Sequence, residues 1–247
     1  MIFTISPTQS DAQAVLRSFM LGVLPSGTDV IAGVVNRVPE PTNPNFVVMI
    51  PIRFERLATT RDDKGDVKFT GSTAADVLTV SNVAHGAIGL GNQLFGVNVA
   101  DLTLITEQLS GPPGGAGTYR ISKAQGLSTR TLAAGIISRV QNAEITVQLD
   151  FHTADNSASD MAQTVSTLLR DLYGTDFFRT QPAPFNAITP LYADDPRYMP
   201  FINENQQYEW RWTLDCCLQI NQVVATPQQF ADTAVIGLIE VDSHYPP

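Results

Sequence analysis

The feature that most constrains this chain is a glycine-rich, weakly charged stretch over residues 77–134. Short apolar runs separated by Gly, Pro and Asn fill it, a pattern typical of short strands joined by tight turns. The runs lie at 77–80, 87–90, 102–106 and 119–121. Residues 111–117 cannot continue a helix or a regular strand, because ordering glycine costs the most backbone entropy and proline lacks an amide donor. We therefore predict a small all-β domain over residues 66–137, inserted into another fold.

The residues on either side, 1–65 and 138–247, have the pattern of one α+β domain. Apolar residues at helical spacing predict a helix over 11–24 with Ser10 as its N-cap. They predict a second helix over 157–173, with a capping box of Ser157 and Asp160 at its start and Gly174 at its end.

Strands are predicted in the same domain where apolar and polar residues alternate. They lie at 30–38, 46–57, 143–152, 208–223 and 235–241, and a polar linker at 59–65 leads into the inserted domain. A long strand with one polar face belongs to an antiparallel sheet that is covered on one side. The predicted fold class is therefore α+β, with two amphipathic helices on one face of a mostly antiparallel sheet.

A segment rich in proline and aromatic residues spans 175–207 and is longer than most connections in a compact domain. We predict an extended arm that packs on its own subunit or on a neighbour; the alternative is a loop folded over its own sheet edge. If it is an arm, deleting residues 185–200 would leave the monomer folded. The candidate subunit-interface residues are Phe185, Tyr192, Tyr198, Phe201, Asn203, Glu204 and Arg211.

The formal net charge of −9 argues against a protein that binds DNA tightly. Tight binding to phosphates needs clustered Lys and Arg, and the few basic residues here are scattered. The charge is compatible with a channel through which DNA passes without specific binding. We expect no membrane association, because the sequence has no apolar run of about 18 residues and no signal-peptide layout. Assembly in the host cytoplasm is then the expectation.

No motif of catalysis stands out in the sequence. The three histidines, His85, His152 and His244, lack metal-ligand spacing, although His152 with Asp150 and Asp155 is weakly metal-like. There is no phosphate-binding G-K-[ST] and no G-x-S-x-G elbow. We therefore predict a protein that is not an enzyme, with no catalytic residue, no cofactor and no metal.

The glycine-rich stretch resembles a module that recurs in structural proteins of tailed phages. The resemblance rests on an LTV opening at 78–80, a G-x-I-x-x-G-x-x-x-x-G centre at 86–96 and a G-G-x-G-T-Y turn at 114–119. It points to a virion protein.

The flanking domain resembles the tail terminator, or neck terminator, family of contractile-tailed phages. The resemblance lies in the early helix followed by two strands, and in Asn203-Glu204-Asn205, Tyr208 and Arg211-Trp212-Thr213 before a long alternating strand. It implies a non-enzymatic ring, usually a homohexamer, that caps the tail tube and joins it to the neck. The implied partners are the tail tube protein, the tail sheath protein and the head-tail connector or collar proteins.

Two alternatives remain beside this reading. The first is a subunit of a twelvefold neck connector or collar. The second is a binding module of the virion, in which the inserted domain holds a receptor or a carbohydrate. Against the second, the inserted domain is expected to have few exposed aromatic side chains, Phe95 and Tyr119, and sugar sites usually need stacking faces.

Overall fold

The computed structural model describes residues 5–33, 41–202 and 208–228 of the chain. In chain order its elements are β1 (Ile5–Ser6), α1 (Gln9–Val23), β2 (Asp29–Ala32), β3 (Phe46–Arg56), β4 (Arg61–Ala74), β5 (Val77–His85), β6 (Gln93–Phe95), β7 (Ile105–Ser110), β8 (Gly117–Ile121), β9 (Leu127–Thr153), α2 (Ser157–Arg170), α3 (Leu172–Arg179), a 3-10 helix (Phe185–Ala187), β10 (Ile188–Ala193), β11 (Arg197–Tyr198), β12 (Phe201–Ile202) and β13 (Tyr208–Pro227). The chain divides into two compact units, residues 1–62 with 139–225, and residues 63–138 with 226–247.

The first unit is built on a mostly antiparallel sheet. Its strand order is β2-β3-β9-β13, in which the short β2 runs parallel to β3 and β3 runs antiparallel to β9. Four further strands, β1, β10, β11 and β12, pair antiparallel with β13. The described helices pack against one another and share one hydrophobic core with the inward side chains of the sheet. The predicted α+β class is confirmed.

The first helix begins earlier than predicted. Thr8, not Ser10, is the N-cap, and it forms a capping box with Asp11. The Thr8 hydroxyl accepts a hydrogen bond from the Asp11 amide at 3.2 Å, and the Asp11 carboxylate accepts one from the Thr8 amide at 2.7 Å. Two amides that have no partner within the helix are satisfied in this way.

We expect Thr8→Ala to lower the free energy of unfolding by about 1 kcal/mol, because it removes a side-chain cap. Urea unfolding followed by far-UV circular dichroism measures the change. Ser10→Ala is the matched control, since Ser10 is exposed and lies inside the helix. A loss of stability in Ser10→Ala with none in Thr8→Ala would contradict this assignment.

The predicted helix over 157–173 is two helices. Asp171 lies between them with an extended backbone (φ −91°, ψ 167°), and its side chain accepts a hydrogen bond from the Tyr173 amide as the N-cap of α3. Gly174 therefore lies inside α3 and does not end a helix. The predicted capping box at Ser157 is also wrong, because Asn156 is the N-cap and its side chain makes no capping hydrogen bond.

The strands depart from prediction mainly at their ends. The strand predicted at 46–57 is confirmed as β3, and the one at 143–152 is the last part of the longer β9. The linker predicted at 59–65 is already strand from Arg61 onward. The strand predicted at 30–38 ends at Ala32 as far as the described residues extend, and the one at 235–241 lies outside them.

The segment predicted as an arm follows the edge of its own sheet. After α3 it forms the 3-10 helix and then β10 and β11, both paired with β13. Ile188 and Ala193 of β10 are buried in the core. The expectation that residues 185–200 can be deleted from a folded monomer is therefore wrong. Contact of this segment with a neighbouring subunit stays a prediction.

In the second unit the strands pair in an order that closes on itself. The order β9-β4-β5-β8-β7 is extended by β6, which pairs with β9. Gln93 at the start of β6 also forms a bridge to Leu104, directly before β7, with a hydrogen bond from the Leu94 amide to the Thr103 carbonyl at 2.8 Å. The inward residues form a separate core that includes Phe69, Leu78, Leu94, Ile105 and Tyr119.

One predicted strand of this unit, at 87–90, is irregular. Gly86 and Gly91 at its ends have φ values of +75° and +85°, which turn the chain out of an extended path. A Cβ atom on Gly86 would lie 2.2 Å from the Asp66 carbonyl oxygen, so only glycine fits there. That residues 66–137 fold as an independent inserted domain stays a prediction. None of the helices in the described part of the chain is long and apolar enough to cross a membrane.

Candidate interaction surface

The predicted interface residues lie along β13 and the segment paired with it. Phe185 is half-buried against the core of the first unit, and Tyr192 on β10 is 46% exposed. Tyr198 lies on β11. Phe201 lies on β12, which pairs with β13.

Arg211 lies on β13 itself. Asn203 and Glu204 are outside the described residues. The structure thus places Tyr192, Tyr198 and Arg211 on strands β10, β11 and β13 of one sheet edge, and it leaves their contact with another subunit as a prediction.

Three aromatic side chains form what we call the aromatic surface: Tyr198, Trp210 and Trp212. The ring centroid of Tyr198 lies 5.8 Å from that of Trp210 and 5.6 Å from that of Trp212. Tyr198 is 44% exposed and Trp210 is 39% exposed, whereas Trp212 packs partly against the core. Two exposed rings held against a partly buried third make a rigid apolar patch, which loses little side-chain entropy when another protein covers it.

The aromatic surface arises from the alternation of β13. Trp210 and Trp212 share the strand face of Leu214 and Cys216, which are completely buried. β11 pairs Tyr198 with Trp212, and this pairing sets the tyrosine ring beside both indoles. Tyrosine and tryptophan are the residue types most enriched at the energetic centres of protein interfaces.

The opposite face of β13 carries an ion pair with the neighbouring strand, β9. Arg211 donates two hydrogen bonds to the carboxylate of Asp150 on β9, one from Nε to Oδ1 at 2.8 Å and one from Nη2 to Oδ2. The Asp150 side chain is 4% exposed and the Arg211 side chain 28%. Nε2 of His152 lies 3.9 Å from the same carboxylate, and its ring stacks on Phe46 at 4.5 Å.

The electrostatics keep this pair ionised. Burial by itself would raise the pKa of Asp150, but hydrogen bonds from His152 and Arg211 outweigh it, so that the pKa is lowered below its ordinary value. The hydrogen bond to Asp150 raises the pKa of Arg211. A bidentate guanidinium–carboxylate pair of this kind fixes the orientation of both strands. We therefore assign Arg211 a structural contact within its own subunit.

A second charged contact lies further along this face. Arg197 of β11 donates a hydrogen bond from Nη2 to the Asp215 carboxylate at 2.8 Å. Beyond it, Cys217 is buried next to the Thr146 hydroxyl, 3.6 Å from its sulfur. The face that the sequence indicates as polar thus carries two charged residues, Arg211 and Asp215, whose described side chains are both paired inside the subunit.

Sequence reasoning missed the residues that complete this site. Trp210 and Trp212 fall on the apolar face of an alternating strand, so they are read as core, although Trp210 is 39% exposed. Asp150 falls on the polar face of its strand and is read as a surface residue. One feature of the sequence could have indicated a partner for Asp150, namely an arginine on the polar face of another long strand of the same domain.

The chain was compared with known protein families. A family model described as phage neck terminator protein matches residues 90–242, which is more than half of the 247-residue chain. The matched region contains most of the paired strands of the aromatic surface and also β6, β7 and β8 of the second unit. Much of the glycine-rich stretch is therefore part of what the family shares. No curated protein sequence matches the chain.

Proposed function

The chain belongs to the family of phage neck terminator proteins, and we propose that its copies form a closed ring, a homohexamer, which ends the tail tube and joins it to the neck. Membership of the family gives the protein a structural role where the phage tail meets the neck. The ring, its copy number and its action on the tube are our proposal.

The observation that carries the ring is the exposed aromatic surface. A ring needs a contact between two different patches of one chain, repeated until it closes. The aromatic surface supplies one such patch, because Tyr198 and Trp210 present large apolar faces that water solvates poorly. A neighbouring subunit that covers these faces would gain hydrophobic stabilisation without displacing the paired charges of the opposite face.

The charge of the protein supports a passage for DNA. At a formal net charge of −9, a ring of several copies is strongly acidic and repels phosphates. DNA that crosses the neck would pass such a ring without specific binding. The proposed partners are the tail tube protein, the tail sheath protein and the connector or collar proteins, with assembly in the host cytoplasm.

The tube-ending function is tested by mixing gold-labelled protein with purified tail tubes and imaging by electron microscopy. We expect label at one end of each tube, and no addition of further tube protein at that end. Label distributed along the tubes, or absent from both ends, would refute this function while leaving the ring itself untouched.

A further inference from the structure

The strand that carries Tyr198 is very short. β11 has two residues, and Tyr198 pairs there with Trp212 of β13. One further backbone hydrogen bond follows, from the Met199 amide to the Arg211 carbonyl at 2.9 Å. Strands in globular proteins usually have about five or six residues. So short a ladder specifies its register weakly, and a shift of one residue would turn Tyr198 to the opposite face of the sheet.

A side-chain contact supplies what the short ladder lacks. Arg197 and Tyr198 are neighbours on β11, so their side chains lie on opposite faces of the sheet. Arg197 is paired with Thr213, and its Nη2 atom reaches Oδ2 of Asp215, two residues further along β13, at 2.8 Å. In a register shifted by one residue, Arg197 would lie on the face opposite to Asp215. Holding Arg197 on the one face therefore holds Tyr198 on the other.

The carboxylate of Asp215 depends on this contact. Its side chain is 17% exposed, and its Oδ2 atom accepts the hydrogen bond from Arg197. The other oxygen, Oδ1, is buried and has no hydrogen-bond partner among the described residues. Without the guanidinium of Arg197, a largely buried carboxylate would lose its cation, which is a costly arrangement. Separation of β11 from β13 would admit water to the carboxylate and relieve that cost.

We propose that Arg197 is the positioning residue of the aromatic surface. Its contact with Asp215 fixes the register of β11 and so holds the ring centroid of Tyr198 at 5.8 Å from that of Trp210 and 5.6 Å from that of Trp212. Where it concerns the ring of subunits, this inference rests on the proposed function. Arg197 is then required for the subunit contact, although its own side chain lies on the opposite face of the sheet.

Tryptophan fluorescence tests the proposal, because the two tryptophans of the chain, Trp210 and Trp212, both lie in the aromatic surface. The measurement uses the Trp210→Ser background, in which Trp212 is the single fluorophore and in which we expect no subunit association. Arg197→Met is expected to raise the acrylamide quenching constant of Trp212 to the value of Tyr198→Ala, since both changes uncover the indole. Arg197→Lys is expected to keep the quenching constant low, because the contact uses one N–H donor, which lysine also has.

Arg179→Met is the matched control. Nη2 of Arg179 lies 2.8 Å from Oδ1 of Asp176, the same distance as in the contact of Arg197, but both residues lie within α3 and outside β11. This variant is expected to leave the quenching constant unchanged. In the chain that keeps Trp210, sedimentation velocity is expected to show rings for Arg179→Met and none for Arg197→Met. Far-UV circular dichroism checks the fold of each variant.

Three results would overturn the proposal. They are an unchanged quenching constant in Arg197→Met, an equal rise in Arg179→Met, and intact rings of Arg197→Met. If Arg197→Met does not fold, Arg197→Gln decides, because glutamine is polar but shorter than arginine and uncharged. A wild-type chain that forms no ring would refute the proposed function alone, since the quenching measurement needs no ring.

Discussion

Replacing Trp210 with serine is expected to abolish ring assembly while leaving the monomer folded. Its ring is 39% exposed and contacts Tyr198 at the surface, so the fold loses about 1 kcal/mol of aromatic packing. In an interface, truncation of a central tryptophan typically costs about 2–4 kcal/mol per contact. That corresponds to a Kd roughly 30- to 1,000-fold weaker at every contact around the ring.

Sedimentation velocity measures the assembly of this variant, and a thermal melt checks its fold. Tyr173→Ser is a matched control, because Tyr173 is a 52% exposed aromatic on α3, outside the aromatic surface. We expect Tyr173→Ser to keep the ring. Intact rings of Trp210→Ser at the same protein concentration would show that the aromatic surface is not the subunit contact.

Replacing Arg211 with methionine is expected to destabilise the subunit by about 3 kcal/mol at pH 7, more than Asp150→Asn does. The methionine variant leaves the Asp150 carboxylate buried without its main partner, which is the costly way to break a buried pair. In Asp150→Asn the remaining charge belongs to Arg211, whose side chain is partly exposed and can turn toward water.

The pH dependence separates this cause from a simple loss of packing. The lowered pKa of Asp150 contributes stability that is present above its ordinary value, near 3.8, and is lost as pH falls through the folded-state pKa. In Arg211→Met the carboxyl is protonated more readily, so its stability deficit relative to wild type is expected to shrink between pH 7 and pH 3. The difference in free energy of unfolding between wild type and Asp150→Asn also declines as the pH falls, but it is smaller at pH 7.

Urea unfolding at a series of pH values measures both effects. The measurements belong in the Trp210→Ser background, so that subunit association does not add to the apparent stability. A deficit of Arg211→Met that stays constant from pH 7 to pH 3 would contradict the role of Arg211 as the partner of a buried carboxylate.

The sequence was sufficient for the fold class and for the family. Helical periodicity at 11–24 and strand alternation at 208–223 arise because one face of each element is buried. Such patterns can be recognised directly in the sequence. Where a helix ends was decided by local capping interactions that compete with continuation of the helix. Asp171 can cap a new helix, and this breaks the apolar stripe that otherwise runs through Gly174.

The candidate site depended on contacts between residues distant in sequence. Asp150 is buried because β13 arrives beside β9 and brings Arg211, 61 residues later in the chain. The proline-rich segment follows its own sheet edge because Ile188 and Ala193 fit into the core of the first unit. Neither pairing leaves a local pattern, so periodicity alone could not have placed these residues.

The central claim is the ring, and electron microscopy of the purified protein with native mass of the same sample tests it most directly. We predict sixfold rings whose mass is six times that of the 26.8 kDa chain. A twelvefold ring would contradict the terminator and favour a connector or collar subunit. A monomer that tail tubes do not recruit to their ends would contradict the assembly of this chain into any ring at the neck.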